Sequence, residues 1–322
     1  MSNLSRREFL LQSGSCASHV ILAAAVAPLW AREWWTRRSL GTVVAAEPFG
    51  RLEDLGSGVW ALVSTPLSGD YTTVSNGGII AGKDAVLAIE GFMQPAGAKW
   101  LATQARQLTG RWPTHVMLTH YHSDHVNGVA GYFEEGAAPS LRATGVTRDW
   151  ARDKNKPADP ARTTALAGAI MVDPTQESTL DLGGRTVKVI PRAGHTLSDV
   201  TAIVEDPRIV FAGDLVWNGM FPNYVDAKPT VLGKSVRALK DGRDPTYVPG
   251  HGPLARNADI DHYLAMLDEV ERAARAAHQR GVTAAQGAAE YTLPQSLGEW
   301  TLFNKSFIAT AFGAWYKELD GQ

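Results

Sequence analysis

Short apolar runs broken by turn residues dominate the chain from about residue 59 onward, and their lengths predict strands. Val59 to Thr65 and Thr72 to Ala81 are β-branched and apolar, split by Pro66, Gly69 and Asp70, and predict two strands joined by a turn. Ala85 to Ile89 is a third apolar run, introduced by Gly82-Lys83-Asp84. The period then changes, with Trp100, Leu101, Ala105 and Leu108 on one side of a helix over 96–108. His115 to Thr119 reads as a buried strand, Val126 to Phe133 as a short helix, Leu141 to Thr144 as a strand and Val146 to Asp153 as a helix. Lys154 to Arg162 is charged and Pro-bearing, hence a loop.

A second strand-rich half follows at Ser178 to Leu182, Thr186 to Pro191, Val200 to Val204 and Arg208 to Ala212. Helices are expected at Thr230 to Lys240 and Asp259 to Arg280, with a brief strand, Thr246 to Pro249, between them. Thr283 to Leu319 reads as mostly helical. Its Trp300, Phe303, Phe307, Ala311 and Trp315 recur at helical spacing, the mark of core or substrate-wall packing rather than of a cofactor box. Strands, helices, strands and helices without a linker predict one α/β domain over 47–322, two sheets in the middle and helices outside.

The first 46 residues break this pattern. Ser5-Arg6-Arg7-Glu8-Phe9-Leu10 matches a twin-arginine export signal and precedes a mostly apolar run from Val20 to Trp30. That run is shorter than the roughly 20 apolar residues a spanning helix needs, so no stable membrane insertion is expected unless the leader is retained. Val44-Ala45-Ala46 and Ala25-Val26-Ala27 are both small-residue cleavage sites. A cut after Ala46 removes five basic and two acidic residues and leaves 26 basic and 31 acidic, a formal charge of −5. Cys16 is the sole cysteine and leaves with the leader, so the mature chain has no disulfide, thiolate ligand or cysteine nucleophile. The expected destination is the periplasm or the exterior, by way of the twin-arginine machinery.

Composition excludes little more. With 44% hydrophobic and 20% charged residues the chain is an ordinary globular protein, and a net charge of −2 without a Lys/Arg block argues against nucleic acid as a partner. A small-molecule substrate is the expectation, because of one stretch: His120-Tyr121-His122-Ser123-Asp124-His125.

Three imidazoles and a carboxylate within six residues have no use in an apolar core. His195, Asp214 and His251 follow, each set off by a glycine (Gly194, Gly213, Gly250) that lets the backbone turn sharply before it. Each follows an apolar, strand-like run, and ligands on loops at strand ends converge while the sheets hold them rigid. Zinc takes His nitrogen and Asp oxygen, and seven such ligands exceed one tetrahedral ion but suit two ions sharing a carboxylate. His115, His262 and His278 stand alone and read as packing or surface residues.

The set resembles the metallo-β-lactamase superfamily, whose signature is His-x-His-x-Asp-His with later His, Asp and His ligands. The resemblance spans roughly residues 55 to 255 and implies the four-layer αββα sandwich. It also implies that His120, His122 and His195 hold one metal, that Asp124, His125 and His251 hold the second, and that Asp214 bridges them. Ser75-Asn76-Gly77-Gly78-Ile79-Ile80 looks like the family's early strand. Two positions depart from the pattern. Glu90 stands where the family usually has Asp, and Asp214 stands where the largest zinc β-lactamase subclass has Cys; Asp is more typical of glyoxalase II-like thioesterases and lactonases.

The expected activity is hydrolysis of a β-lactam, lactone, ester or thioester by a hydroxide bridging two zinc ions about 3.5–4 Å apart. Asp124 is the candidate proton acceptor, Tyr121 a candidate oxyanion partner, and Asn218, Asn223 and Tyr224 candidate substrate contacts. Two other classes stay open. One is a mononuclear iron enzyme resembling the persulfide dioxygenases of the superfamily; the other is a non-catalytic metal-binding module.

Overall fold

Alternate residues of single strands enter different cores, which explains why so many strands read as continuous apolar runs. The computed structural model describes residues 39–66, 69–134, 137–302 and 306–321. Eight strands form the first sheet in simple chain order: β1 (Thr42–Glu47), β2 (Gly50–Asp54), β3 (Val59–Ser64), β4 (Gly77–Ala81), β5 (Val86–Ile89), β6 (His115–Met117), β7 (Ser140–Thr144) and β8 (Ile170–Val172). Pairing is antiparallel from β1 to β5 and parallel from β5 to β8. The second sheet runs in the order β13 (Thr246–His251), β12 (Arg208–Trp217), β11 (Val200–Glu205), β10 (Thr186–Pro191), β9 (Ser178–Asp181), antiparallel except for the parallel pair of β12 and β13.

In β3, Val59, Ala61 and Val63 join the core shared with the second sheet, while Trp60 and Leu62 join a separate core on the sheet's other face. The same split puts Leu87 and Ile89 of β5 inward and Val86 and Ala88 outward. A strand covered on both faces has no polar side to show. The outer core is closed by helix α1 (Pro95–Thr109) through Ala98, Leu101, Ala102 and Ala105. Leu62 and Leu101 are fully buried, so truncating either to Ala should cost about 2–5 kcal/mol.

The remaining helices are α2 (Ser123–Val126), α3 (Gly145–Asp153), α4 (Pro160–Ala167), α5 (Pro229–Arg237), α6 (Asn257–Gln279), α7 (Ala284–Glu290) and α8 (Ser306–Leu319). Ile260, Tyr263, Leu267 and Val270 of α6 and Phe307, Phe312 and Trp315 of α8 pack into the core that holds the second sheet. The layers are helix, sheet, sheet, helix, the expected αββα sandwich. Among the described residues no helix is long and apolar enough to cross a membrane.

Several boundaries differ from the sequence expectation. Only residues 77–81 of the run from Thr72 form a strand, because 72–76 leave the sheet to carry Ser75 to Asp124 and Asn76 to the second half. The expected helix over 126–133 is split into α2 and a 3-10 turn, Val129–Phe133. The expected loop to Arg162 ends inside α4, which Asp159 caps by accepting from Ala161 N at 2.9 Å. In the aromatic series, Trp300 precedes α8 rather than belonging to it, Phe303 lies outside the described residues, and Phe307, Ala311 and Trp315 are core.

The expected 46/47 boundary falls within β1. That strand is largely exposed and carries no apolar alternation, so its pattern does not announce it. Ala46 pairs with Arg51, and the buried Glu53 Oε2 accepts from Ser39 Oγ (2.8 Å), Leu40 N (3.0 Å) and Gly41 N (3.0 Å). Residues 39–46 are thus part of the fold. The twin-arginine match, the apolar run, Cys16 and Ala25-Val26-Ala27 lie outside the described residues.

Candidate metal centre

All seven predicted ligands meet at one place between the ends of the two sheets. β6 delivers His120, α2 begins just after His122 and carries Asp124 and His125, the loop after β10 carries His195, and β12 and β13 carry Asp214 and His251. Six of the seven are at most 1% exposed and His122 is 4% exposed. They fall into two groups of converging donor atoms, His120, His122, His195 and Asp214 in one, Asp124, His125 and His251 in the other.

Asp214 joins them. Its Oδ2 lies 3.1 Å from His195 Nε2 and 3.7 Å from His120 Nε2, while Oδ1 lies 3.0 Å from His125 Nε2 and 3.3 Å from His251 Nε2. On the second side Asp124 Oδ2 is 3.3 Å from His251 Nε2 and 3.7 Å from His125 Nε2. On the first, His122 Nδ1 lies 3.1 Å from His120 Nε2 and 2.9 Å from His195 Nε2.

The outward atoms of the rings decide what those inward atoms are. Thr119 Oγ1 donates to Glu90 Oε1 at 2.5 Å, so it accepts from His120 Nδ1 at 3.0 Å and turns the lone pair of Nε2 inward. His122 Nε2 donates to Asp226 Oδ2 at 2.9 Å, which leaves Nδ1 as the inward lone pair. Glu90 Oε1 also stands 3.0 Å from His125 Nδ1, so this one carboxylate backs a ligand of each group. It is held there by a backbone at φ 77°, a conformation costly for a side-chain-bearing residue and common at functional sites.

Lone pairs that converge at 3 Å repel unless a proton or a cation lies among them. The oxygens of Asp124 and Asp214 and the ring nitrogens of His251 accept or donate no well-aligned hydrogen bond among the described residues. Buried polar atoms left this way cost about 1–3 kcal/mol each, and a pair of divalent cations would satisfy them. The donor set fits two ions with Asp214 between them.

Electrostatics point the same way. Burial pushes the Asp214 carboxyl up, but His251, His125, His195 and His120 pull it well below the usual carboxylate range. Burial holds His120 well below its ordinary value, with the neighbouring His125 adding to the effect. Against burial, Asp214 and its neighbouring carboxylates raise His125 well above and His251 to about 9.

Sheet geometry brings the two halves close enough for this. Gly213 adopts φ 53°, and a Cβ on Gly250 would lie 1.9 Å from Asp214 Oδ1, so only glycine fits there. Asn76 ties the sheets together: its Nδ2 donates to Pro249 O (2.9 Å) and Gly252 O (2.8 Å), and its Oδ1 accepts from Ser64 N. Trp217 stacks on His251 with ring centroids 4.0 Å apart.

The other sequence candidates fall differently. Tyr121 is buried, stacks on Trp150 and commits its hydroxyl to Asp226; burial and that carboxylate raise its pKa, so it keeps its proton. Asn218 Nδ2 donates to Pro253 O and Leu254 O and braces the loop after His251. Asn223 Oδ1 accepts from Val225 N and Thr310 Oγ1, and Tyr224 is buried on the side where α5, α6 and α8 meet. None of these three is among the groups that converge on the ligands. Sequence reasoning passed over Asp226 and Thr119, which orient two of the histidines. Asp226 sat in the same loop as Asn223 and Tyr224, without a spacing signal to mark it.

The sequence profile of the metallo-beta-lactamase superfamily matches residues 71–251. A hydroxyacylglutathione hydrolase of Acidiphilium cryptum (strain JF-5) is 32% identical over 210 residues, covering 65% of this chain and 76% of that protein. One from Rhodopseudomonas palustris (strain BisA53) is 27% identical over 213 residues, covering 64% and 72%. Among solved structures, the metallo-beta-lactamase from Erythrobacter litoralis superimposes with a TM-score of 0.56 at 21% identity, over 70% of this chain and 99% of that one. The metallo-beta-lactamase from Pontibacter korlensis gives 0.55 at 20% identity, over 68% and 99%. At such identities the likeness speaks for the fold, and the profile speaks for the family. The chain belongs to the metallo-beta-lactamase superfamily.

Proposed function

We propose that the protein is an exported, zinc-dependent hydrolase that cleaves an activated carbonyl bond, and that a thioester or other ester is a better substrate than a β-lactam. The observation that carries this is Asp214, one oxygen turned to each group of ligands. Relatives named hydroxyacylglutathione hydrolases support the thioester. A divalent ion in such a donor set lowers the pKa of water towards neutrality and polarises a carbonyl oxygen.

The chain's own groups supply the rest. Thr119 and Asp226 hold His120 and His122 in the tautomers that face inward. Burial pushes Asp124 up, but His125 and His251 pull its carboxyl below the usual range, so it is ionised at neutral pH. Gly91 N donates to His125 O and Ser75 Oγ to Asp124 O, which fix the backbone under both side chains.

The test is hydrolysis of an acylglutathione thioester and of a chromogenic cephalosporin, side by side, by zinc-loaded protein with Asp124→Ala as blank. The expected result is thioester turnover that falls about a hundredfold or more in the variant, since even partners behind metal ligands cost 10–100-fold. Turnover of neither substrate, by protein shown to hold metal, overturns the reading. Export belongs to the same proposal and rests on Ser5-Arg6-Arg7-Glu8-Phe9-Leu10. Replacing Arg6 and Arg7 together with lysine should leave the precursor in the cytoplasm, and unimpeded export would refute it.

A further inference from the structure

Three large apolar side chains stay in solvent on segments fastened beside the candidate ligands, although the backbone around them is well packed. Leu197 is 62% exposed, while its neighbours Thr196, Ser198 and Asp199 are buried and His195, two residues before it, is a ligand. Trp150 is 40% exposed on α3 and stacks on Tyr121 at 4.6 Å between ring centroids. Tyr121 in turn lies between His120 and His122. Val146, four residues before Trp150, shares its side of α3.

These positions belong to one surface. Thr147 Oγ1 and Ser198 Oγ are hydrogen-bonded at 3.0 Å, which fastens α3 against the loop that bears Leu197. Asn155 Nδ2 donates to Tyr121 O at 2.8 Å and fastens the end of α3 to the ligand stretch.

The polar groups of this surface are turned to one another. Asp199 accepts from Thr196 N (2.8 Å) and Thr196 Oγ1 (2.7 Å), and Ser198 N donates back to Thr196 Oγ1. Arg148 pairs with Asp149, and Arg152 with Asp153. Nothing in the fold requires Leu at 197, where a polar residue would leave the same loop intact and better hydrated. An exposed apolar group at the mouth of a site gains only when something covers it.

We propose that Trp150 and Leu197 form a wall for an apolar acyl group, so that the substrates are esters, thioesters or lactones of acids with several unsubstituted carbons or an aromatic ring. This rests on the hydrolytic reading of the site and adds the class of acid. Specificity follows from area: each methylene fully covered by the wall improves binding roughly fourfold.

The experiment titrates hexanoate and acetate, as product carboxylates, into the zinc-loaded protein by calorimetry, and measures turnover of p-nitrophenyl hexanoate and acetate on the same samples. Hexanoate should bind about tenfold more tightly than acetate or better. Leu197→Ser and Trp150→Ser should each bring that ratio towards one, and Leu197→Met should restore it. Equal affinities in the parent protein, or a ratio that both serine variants preserve, overturn the wall. Absence of turnover with both esters counts against the hydrolytic reading instead, while the calorimetric ratio still decides on the wall.

Discussion

The two groups of ligands share Asp214 yet are supported in opposite ways. Behind Asp124, His125 and His251 stand Ser75, Trp217 and Glu90, all buried; Glu90, at φ 77°, also reaches His120 of the other group through Thr119. Behind His122 stands Asp226, whose side chain is 30% exposed and which lies beside Tyr121, Trp150 and Val225. The second group is enclosed by buried partners, whereas the first has a partly exposed one in Asp226.

Removing the shared carboxylate tests whether the two groups are one centre. Asp214→Asn takes away the charge that offsets the buried histidines around it, and breaking a buried charge set of this kind costs about 3–5 kcal/mol. Zinc content measured by atomic absorption should fall for both sites together, with a large drop in Tm. Loss of one ion only, with the other kept at full occupancy, would mean that the groups are independent.

Chelation should act next most strongly, and its pH dependence separates metal from proton. At a metal concentration a hundred times Kd, binding stabilises by about 2.7 kcal/mol, or roughly 5–10 °C in Tm for a domain of this size. In the metal-free protein the proton on His251 takes over part of that role. His251 is raised from 6.5 to about 9, so its contribution is full below 6.5 and is lost as pH rises through 9. Metal binding displaces that proton, so the Tm difference between loaded and chelated protein should widen from pH 6.5 to pH 9. A difference that narrows over that range would contradict the site electrostatics.

How far the chain can be read without its fold follows the same division. The seven candidate ligands stood out because six residues carry four of them and glycine flags the other three; the structure brings all seven together. The αββα order was legible because each strand that is covered on both faces, such as β3 and β5, is a short apolar run. What supports the ligands was not. Asp226 reaches His122 across 104 positions, and Glu90 reaches Thr119 across 29, so no local pattern joins them. β1 and β2 were missed for a different reason. The first is exposed almost throughout, and the second buries Arg51 and Glu53 as an ion pair at 2.8 Å, so neither shows the apolar alternation that marks a strand. Asn218, Asn223 and Tyr224 were read as substrate contacts from their loop, and the side chain of that loop that reaches a clustered histidine is Asp226.

The smallest effect, and the sharpest comparison, comes from neutralising the two supporting carboxylates in turn. Glu90→Gln leaves a buried amide facing both Thr119 Oγ1 and His125 Nδ1, where the carboxylate accepted from one and faced the other at 3.0 Å. Asp226→Asn keeps an oxygen able to accept from His122 Nε2 and loses only a charge that water already screens in part. Outer partners of metal ligands are worth 10–100-fold in metal affinity, so Glu90→Gln should fall near a hundredfold and Asp226→Asn near tenfold or less. Competition with a fluorescent zinc chelator measures both. If Asp226→Asn proves the more damaging, the open side of the centre, rather than the sealed one, is what holds the ions.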